Sequence, residues 1–264
     1  MKENEKKTNY GNWVPDNLMH KMWIAAGLIF LLWIVNWIFL GSMIFAVIFG
    51  FFFLLMLAVS VYMHRCKAIF AFEKGGLMGE IHEYLVNHLP YNGDGILLDI
   101  GCGAGALTIR CAKRFPKAKL QGVDYWGKEW NYANEQCESN AVVEGVSDRV
   151  CFEKGDAANL KYPSGSFDAA VSNFVFHEVK TQPDKRLVVK EALRIVKKGG
   201  AFAFQDLFGM EALYGDMEAF VEELKAEGIR EIHYIADIER LDFVPKFVQA
   251  PWMLKGVGII YGIK

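Results

Sequence analysis

Residues 96–105, Ile-Leu-Leu-Asp-Ile-Gly-Cys-Gly-Ala-Gly, run an apolar segment into a glycine-rich turn. Glycines at such a turn permit tight backbone angles and let a ligand approach the main chain closely. The spacing is G-x-G-x-G, whereas the dinucleotide fingerprint is G-x-G-x-x-G, and a plain structural turn can carry the same letters. Asp124 closes the next apolar run, 19 residues beyond Gly105. A carboxylate there can accept two hydrogen bonds from ribose hydroxyls, and a lone Asp at a strand end also suits a helix N-cap. The distance from the glycine loop favours the ribose. Asp156, within Lys154-Gly155-Asp156-Ala157, could accept from an adenine amino group. A fourth run ends at Asn173, with His177 just beyond it. An imidazole titrates near neutrality, so His177 is the first candidate for a general base. The alternative is a helix-start histidine packed beneath the site. Asp206 ends a fifth run and either faces the same pocket or caps the following loop.

These residues need elements that bring strand ends together. Short apolar runs at 95–100, 119–124, 150–154, 167–173 and 201–206 alternate with helical stretches at 106–115, 130–143 and 185–196. Such alternation implies a parallel sheet covered by helices on both faces. Ligands bind in sheets of this kind at the carboxyl ends of the strands, which is where the acidic and amide residues fall. Before the sheet, a helix at 80–89 follows a Gly75-Gly76 break. After it the rhythm changes: a helix at 216–227 precedes a strand at 231–235, and 256–261 is expected as an antiparallel partner.

With the loop LDIGCGAG, then GVDYW, KGDA, FDAAVSN and ALRIVKKGG in this order, the chain resembles the class I S-adenosylmethionine-dependent methyltransferases. It is most similar to the branch that includes the quinone and sterol C-methyltransferases. The resemblance runs from about Met78 to Ile263. It implies an α/β, Rossmann-like sheet, mostly parallel with its last strand antiparallel. It also implies S-adenosylmethionine as cofactor: Asp99, Gly101, Gly103 and Gly105 around the methionine part, and Asp124 on the ribose. Tyr125 would flank the adenine, Asp156 would meet its amino group with Ala157 as backbone neighbour, and Asn173 would lie near the reactive methyl. Lys198 stands where the family usually has proline, a change in turn stiffness and not in the site.

The N-terminal part is of another kind. From Met22 to Met63 there are 42 consecutive residues without a charge. As one helix they would reach about 63 Å, roughly twice the hydrocarbon thickness of a bilayer. Two spans, 22–40 and 43–63, with a turn at Leu40-Gly41-Ser42, fit better. Lys2, Lys6, Lys7 and Lys21 precede them and Arg65 and Lys67 follow, so the positive-inside rule puts both ends in the cytoplasm. Trp23, Tyr62 and Trp37 suit an aromatic belt. The run is too long for a signal peptide and lacks a small-residue cleavage site. Asn36 is its one strongly polar side chain, expected to bond the partner helix or interfacial water, and with no charge inside there is little for a transporter to use. The expected organisation is therefore a cytoplasmic segment (1–21), a transmembrane helical hairpin (22–63), a linker with N-terminal helices (64–93) and the cofactor-binding domain (94–264).

Residues 64–264 carry 25 Lys and Arg against 28 Asp and Glu, which argues against nucleic acid as a partner. The five cysteines include no C-x-x-C pair and the histidines no metal triad, so no metal is expected. The expected activity is methylation of an apolar or amphiphilic small molecule (lipid, quinone, isoprenoid, thiol or phenol) by an enzyme anchored in the cell membrane through two spans. The alternatives are an anchored nicotinamide-dependent oxidoreductase and a non-catalytic cofactor-binding scaffold. Tyr125, Trp126 and Trp130 are candidates for the wall of the acceptor pocket, or for plain packing. The stretch 243–254, with Phe247, Trp252, Met253 and Leu254, is expected to touch the bilayer or cover the pocket, or else to be a strand-connecting insertion packed on the domain.

Overall fold

The computed structural model describes residues 7–72, 76–127 and 133–264. The chain forms two compact units, one of residues 11–79 and the other of Glu80–Lys264 with the segment ending at Tyr10.

The first unit is a helical pair. Helix α1 (Asp16–Val35) runs on into a π-helical turn (Asn36–Leu40), and α2 (Met43–Ile69) returns. Gly41 makes the reversal at φ 59°, a conformation that glycine adopts at little cost. Asn36 is buried there and donates from Nδ2 to the Ser42 carbonyl at 3.0 Å, so the one strongly polar side chain serves the turn. Trp33 Nε1 donates to the Ala46 carbonyl across the pair at 3.0 Å. Ala26, Ala46 and Ser60 are buried, small residues that let two helices approach closely, whereas Trp37, Phe39, Ile44 and Leu54 are exposed. The open ends are tied by an ion pair between Lys67 and Asp16, and Asn12 Nδ2 donates to the Lys67 carbonyl at 2.9 Å. With their extensions the two helices span 25 and 27 residues at mean hydropathies of 2.2 and 2.8, long and apolar enough to cross a membrane.

The second unit is built on a seven-stranded sheet. Strand β1 (Ile96–Ile100) pairs in parallel with β2 (Lys119–Asp124) on one side and β4 (Phe167–Asn173) on the other. Beyond them lie β3 (Val150–Lys154) and β5 (Val196–Asp206), also parallel. Strand β7 (Gly258–Ile263) is antiparallel to β5 and to β6 (Glu231–Ile235), giving the order β3-β2-β1-β4-β5-β7-β6. Leu97, Leu98, Ile100, Ala169, Ala170 and Val171 have no exposed surface, as central strands covered on both faces require. The remaining helices are α3 (Leu77–His88), α4 (Ala106–Arg114), α5 (Ala133–Val143), α6 (Lys185–Arg194), α7 (Glu211–Tyr214) and α8 (Met217–Ala226).

The boundaries around β5 and β7 depart from the sequence expectation. Helix α6 stops at Arg194 and β5 starts at Val196, because Ile195 accepts the Phe167 amide and Val196 pairs with Phe167. Strand β7 begins at Gly258 and not at 256, since the Gly256 and Val257 amides are taken by the buried Glu239 carboxylate at 2.8 and 3.0 Å. The start of the helix expected at 130 lies outside the described residues, as does Trp130. Chain order reverses between β1 and β4, the place where open sheets leave a crevice for ligands.

Candidate active site

The loop after β1 holds three left-handed glycines, Gly101, Gly103 and Gly105, at φ 76°, 55° and 83°. They are needed for different reasons. A Cβ on Gly101 would lie 2.1 Å from Val175 Cγ2, and one on Gly105 3.1 Å from the Phe152 ring. A Cβ on Gly103 would meet nothing within 4 Å, so at Gly103 the backbone itself borders open space that a ligand can fill.

That loop is clamped by residues from two elements. Asp124, at the end of β2, accepts the Gly103 amide on Oδ2 at 2.9 Å and the Trp126 amide on Oδ1 at 2.8 Å. A carboxylate offers about four acceptor positions, so capacity remains for a further donor such as a ribose hydroxyl. Burial pushes the Asp124 carboxyl up, against the hydrogen bonds from the Trp126, Gly103 and Tyr125 amides. Trp126 is buried and donates from Nε1 to the Gly103 carbonyl at 2.9 Å. It therefore supports the loop from behind and does not wall a pocket. From α5, Cys137 Sγ lies 3.1 Å from the same carbonyl, and Asn140 Nδ2 donates to the Ala104 carbonyl at 3.0 Å. Cys137 and Asn140 are three residues apart and so share one helix face.

Asp99 sits within the strand end, fully buried, where Thr108 donates to its carboxylate at 2.5 Å. Burial pushes its pKa up to about 7, with the Thr108 hydrogen bond opposing and the Asp124 charge adding to the rise. Tyr125 is exposed, and the Lys154 ammonium lies 5.7 Å from its ring centroid. Asp156 accepts from the Ala158 amide at 2.9 Å and from Thr181 Oγ1 at 3.0 Å, beside the half-buried Ala157. Asn173 Oδ1 accepts from Gln205 Nε2 at 3.2 Å, and Gln205 Oε1 is buried without a partner among the described residues.

His177 and Asp206, which the sequence offered separately, form a pair. Asp206 is fully buried at the end of β5; His177 lies in a 3-10 turn (Phe176–Glu178) after β4. His177 Nδ1 is 2.7 Å from Asp206 Oδ1, while Asp206 Oδ2 accepts the Phe176 amide at 2.8 Å. Burial acts against the imidazolium, but the hydrogen bond and charge of Asp206, with Glu178 adding, outweigh it, so His177 titrates above its ordinary value. With Nδ1–H donated to the carboxylate, Nε2 carries the lone pair. Three other histidines lie away from this pair, His233 among them, with Nε2 2.8 Å from Glu231 Oε1. His82 is buried and held neutral, its pKa lowered to about 3 by burial and by Arg110, and His88 Nδ1 lies 2.8 Å from the Tyr84 carbonyl.

Residues 98–204, from within β1 to within β5, match the family model described as a methyltransferase domain. The chain carries a methyltransferase domain. The match covers 107 of the 264 residues and, together with the methyltransferases that the chain resembles, supports an S-adenosylmethionine-dependent methyltransferase over the nicotinamide-dependent alternative. Over 144 residues the chain is 33% identical to the 27-O-demethylrifamycin SV methyltransferase of Amycolatopsis mediterranei, covering 54% of this chain and 50% of that protein. Over 136 residues it is 31% identical to a sterol 24-C-methyltransferase of Aspergillus fumigatus, covering 51% of this chain and 34% of that one. The chain thus spans half or less of the length of these two relatives. Among solved structures, the geranyl diphosphate C-methyltransferase of Streptomyces coelicolor A3(2) superposes with a TM-score of 0.52 at 16% identity, covering 71% of this chain and 76% of that one. At that identity the likeness concerns the fold. The site of the methyltransferase domain fits its cofactor: open space at Gly103 and spare acceptor capacity on Asp124 suit an adenosyl group. The contributions of Cys137, Asn140, Thr108 and Gln205 were not foreseen from sequence, because each acts through a contact that only the folded chain creates.

Proposed function

We propose that the protein is a membrane-anchored methyltransferase acting on an apolar or amphiphilic small molecule, with His177 as general base and Asp206 as its positioning residue. The helical pair carries the membrane part of this reading. Only 11% of either apolar window is buried, so the pair keeps an apolar surface that a bilayer would cover. Anchoring raises the local concentration of an acceptor that itself resides in the membrane. The lysines flanking the pair favour a cytoplasmic catalytic domain. The sterol and rifamycin acceptors named for the two relatives support a small-molecule acceptor.

S-adenosylmethionine, when bound, supplies a methyl group on a sulfonium, with a neutral thioether as leaving group. The work left to the protein is placement of the acceptor in line, together with control of one proton. Asp124 would hold the ribose, Asp156 the adenine amino group with Ala157 beside it and Tyr125 flanking the ring, and Asn173 would border the methionine part. Asp99 would act beneath the loop, keeping its glycines in place through Thr108. His177 Nε2 would take the proton that the acceptor sheds, and Asp206 would hold the imidazole and stabilise its charged form.

The segment 236–257 leaves β6 and enters β7 at the edge where Asp206 lies, since Gln205 and Ile235 both stand opposite Ile259. It exposes Lys246, Phe247, Trp252 and Lys255, with Trp252 75% exposed. Aromatic and cationic side chains together suit the polar boundary of a bilayer, and this edge is where an acceptor has to arrive. Membranes from cells with and without the protein, incubated with methyl-labelled S-adenosylmethionine, test the reading. Protein-dependent label is expected in the organic extract. Label confined to the aqueous or protein fraction would overturn a lipid-phase acceptor.

A further inference from the structure

Asn9 and Tyr10 precede α1, yet they belong to the sheet-bearing unit. The Asn9 amide donates to Asn140 Oδ1 at 2.8 Å, and Asn140 Nδ2 returns a hydrogen bond to the Asn9 carbonyl at 2.9 Å. The side-chain amide thereby pairs with one residue of main chain as a neighbouring strand would. Its Nδ2 also reaches the Ala104 carbonyl, inside the glycine loop, at 3.0 Å. Just past the end of α5, Glu144 accepts from the Tyr10 hydroxyl at 3.2 Å and forms an ion pair with Lys113 of α4. Asn140 is 2% exposed, so water cannot readily replace a partner that it loses.

An amide side chain has two hydrogens to give, and both are committed here: one to the segment that leads into the apolar helices, one to the loop that borders the cofactor site. If residues 9 and 10 leave, Asn140 keeps a buried donor and a buried acceptor without partners. It then has reason to turn away from Ala104. We propose that Asn140 is a positioning residue for the glycine loop, and that docking of Asn9 and Tyr10 sets the loop conformation and through it the affinity for the adenosyl cofactor. The first half stands on the geometry alone; the second rests on the proposed cofactor site.

The test uses the full chain in lipid nanodiscs. Asn9→Pro removes the amide donor, and Asn140→Asp keeps the acceptor while setting a carboxylate oxygen against two carbonyls. Two quantities are measured: amide hydrogen exchange of residues 101–107 without ligand, and the affinity for S-adenosylhomocysteine. Asn9→Pro is expected to speed loop exchange and weaken S-adenosylhomocysteine roughly five- to fifty-fold, with exchange in α2 unchanged. The double variant is expected to add little to either single one, because both cut the same link. Loop exchange and affinity within twofold of wild type in Asn9→Pro would overturn the proposal. If Asn140→Asp does not fold, Asn9→Pro and Tyr10→Phe still decide. Faster loop exchange in a chain whose wild type binds no S-adenosylhomocysteine would support the strap and refute the cofactor site.

Discussion

A neutral thioether leaves a sulfonium without help from an acid, so the pH dependence of turnover should arise at the buried pair of His177 and Asp206 beside the carboxyl edge. His177 is active as a base when neutral, and its pKa is raised, so activity should fall on the acid side with a midpoint above 6.5. In Asp206→Asn the charge that raises it is gone and burial is left, so the midpoint should move below that of wild type. We expect kcat to fall about 10- to 100-fold in that variant. A pH profile of kcat/KM whose acid limb stays in place would refute the pairing. The glycines offer a separate test, of structure. Gly101→Ala combines a left-handed alanine with a clash on Val175 and should cost about 2–4 kcal/mol in denaturant unfolding. Adding Val175→Ala removes the two nearest methyl groups but leaves a Cβ at 2.8 Å, so it should restore part of the steric cost and none of the conformational cost. Gly103→Ala carries no clash and should cost about 1–2 kcal/mol, the conformational part alone.

At the scale of elements, the segment between β6 and β7 is held by Glu239, whose two oxygens accept the Gly256 and Val257 amides. This fixes the base of the segment and leaves Trp252 outside. Trp252→Ala should therefore spare S-adenosylhomocysteine affinity while lowering turnover of an acceptor presented in vesicles several-fold; equal loss on a detergent-dispersed acceptor would count against a lipid-facing role. Most elements were legible in sequence. Strands β2, β3, β4 and β6 fall where the apolar runs put them: β4 is a central strand buried along most of its length, and even the edge strands β3 and β6 keep short runs of strand-forming residues between polar turns. The start of β5 was not, since Lys197-Lys198-Gly199-Gly200 has the letters of a turn, and it is held in the strand by Val196 pairing with Phe167 before it and by the hydrogen bonds of Gly199 and Gly200 with Lys264. The strand-end residues of the site were legible by their spacing. The parts contributed by α5 were not, because Cys137 and Asn140 meet the loop 34 and 36 residues back along the chain. The pairing of His177 with Asp206 spans 29 residues and was equally hidden.

For the whole molecule, the segment ending at Tyr10 and the chain from Glu80 onward form one unit, although the apolar helices lie between them in sequence. In the proposed membrane-anchored form, a chain so arranged would enter and leave the bilayer on the same face, as a two-span hairpin requires. In a Cys151→Ser background, an impermeant thiol reagent added outside intact cells should label Ser42→Cys at the turn. It should not label Lys117→Cys in the soluble domain. Labelling of position 117 from outside would reverse the proposed orientation.

The same arrangement sets a timetable for synthesis. Asn9 is made before either apolar helix, and its partner Asn140 follows 131 residues later. At a synthesis rate of roughly 5–20 residues per second, residues 9 and 10 wait about 7–26 s for the helix that receives them. By then both apolar helices have left the ribosome. Docking of residues 9 and 10 can therefore follow only after everything between them and Asn140 has been made.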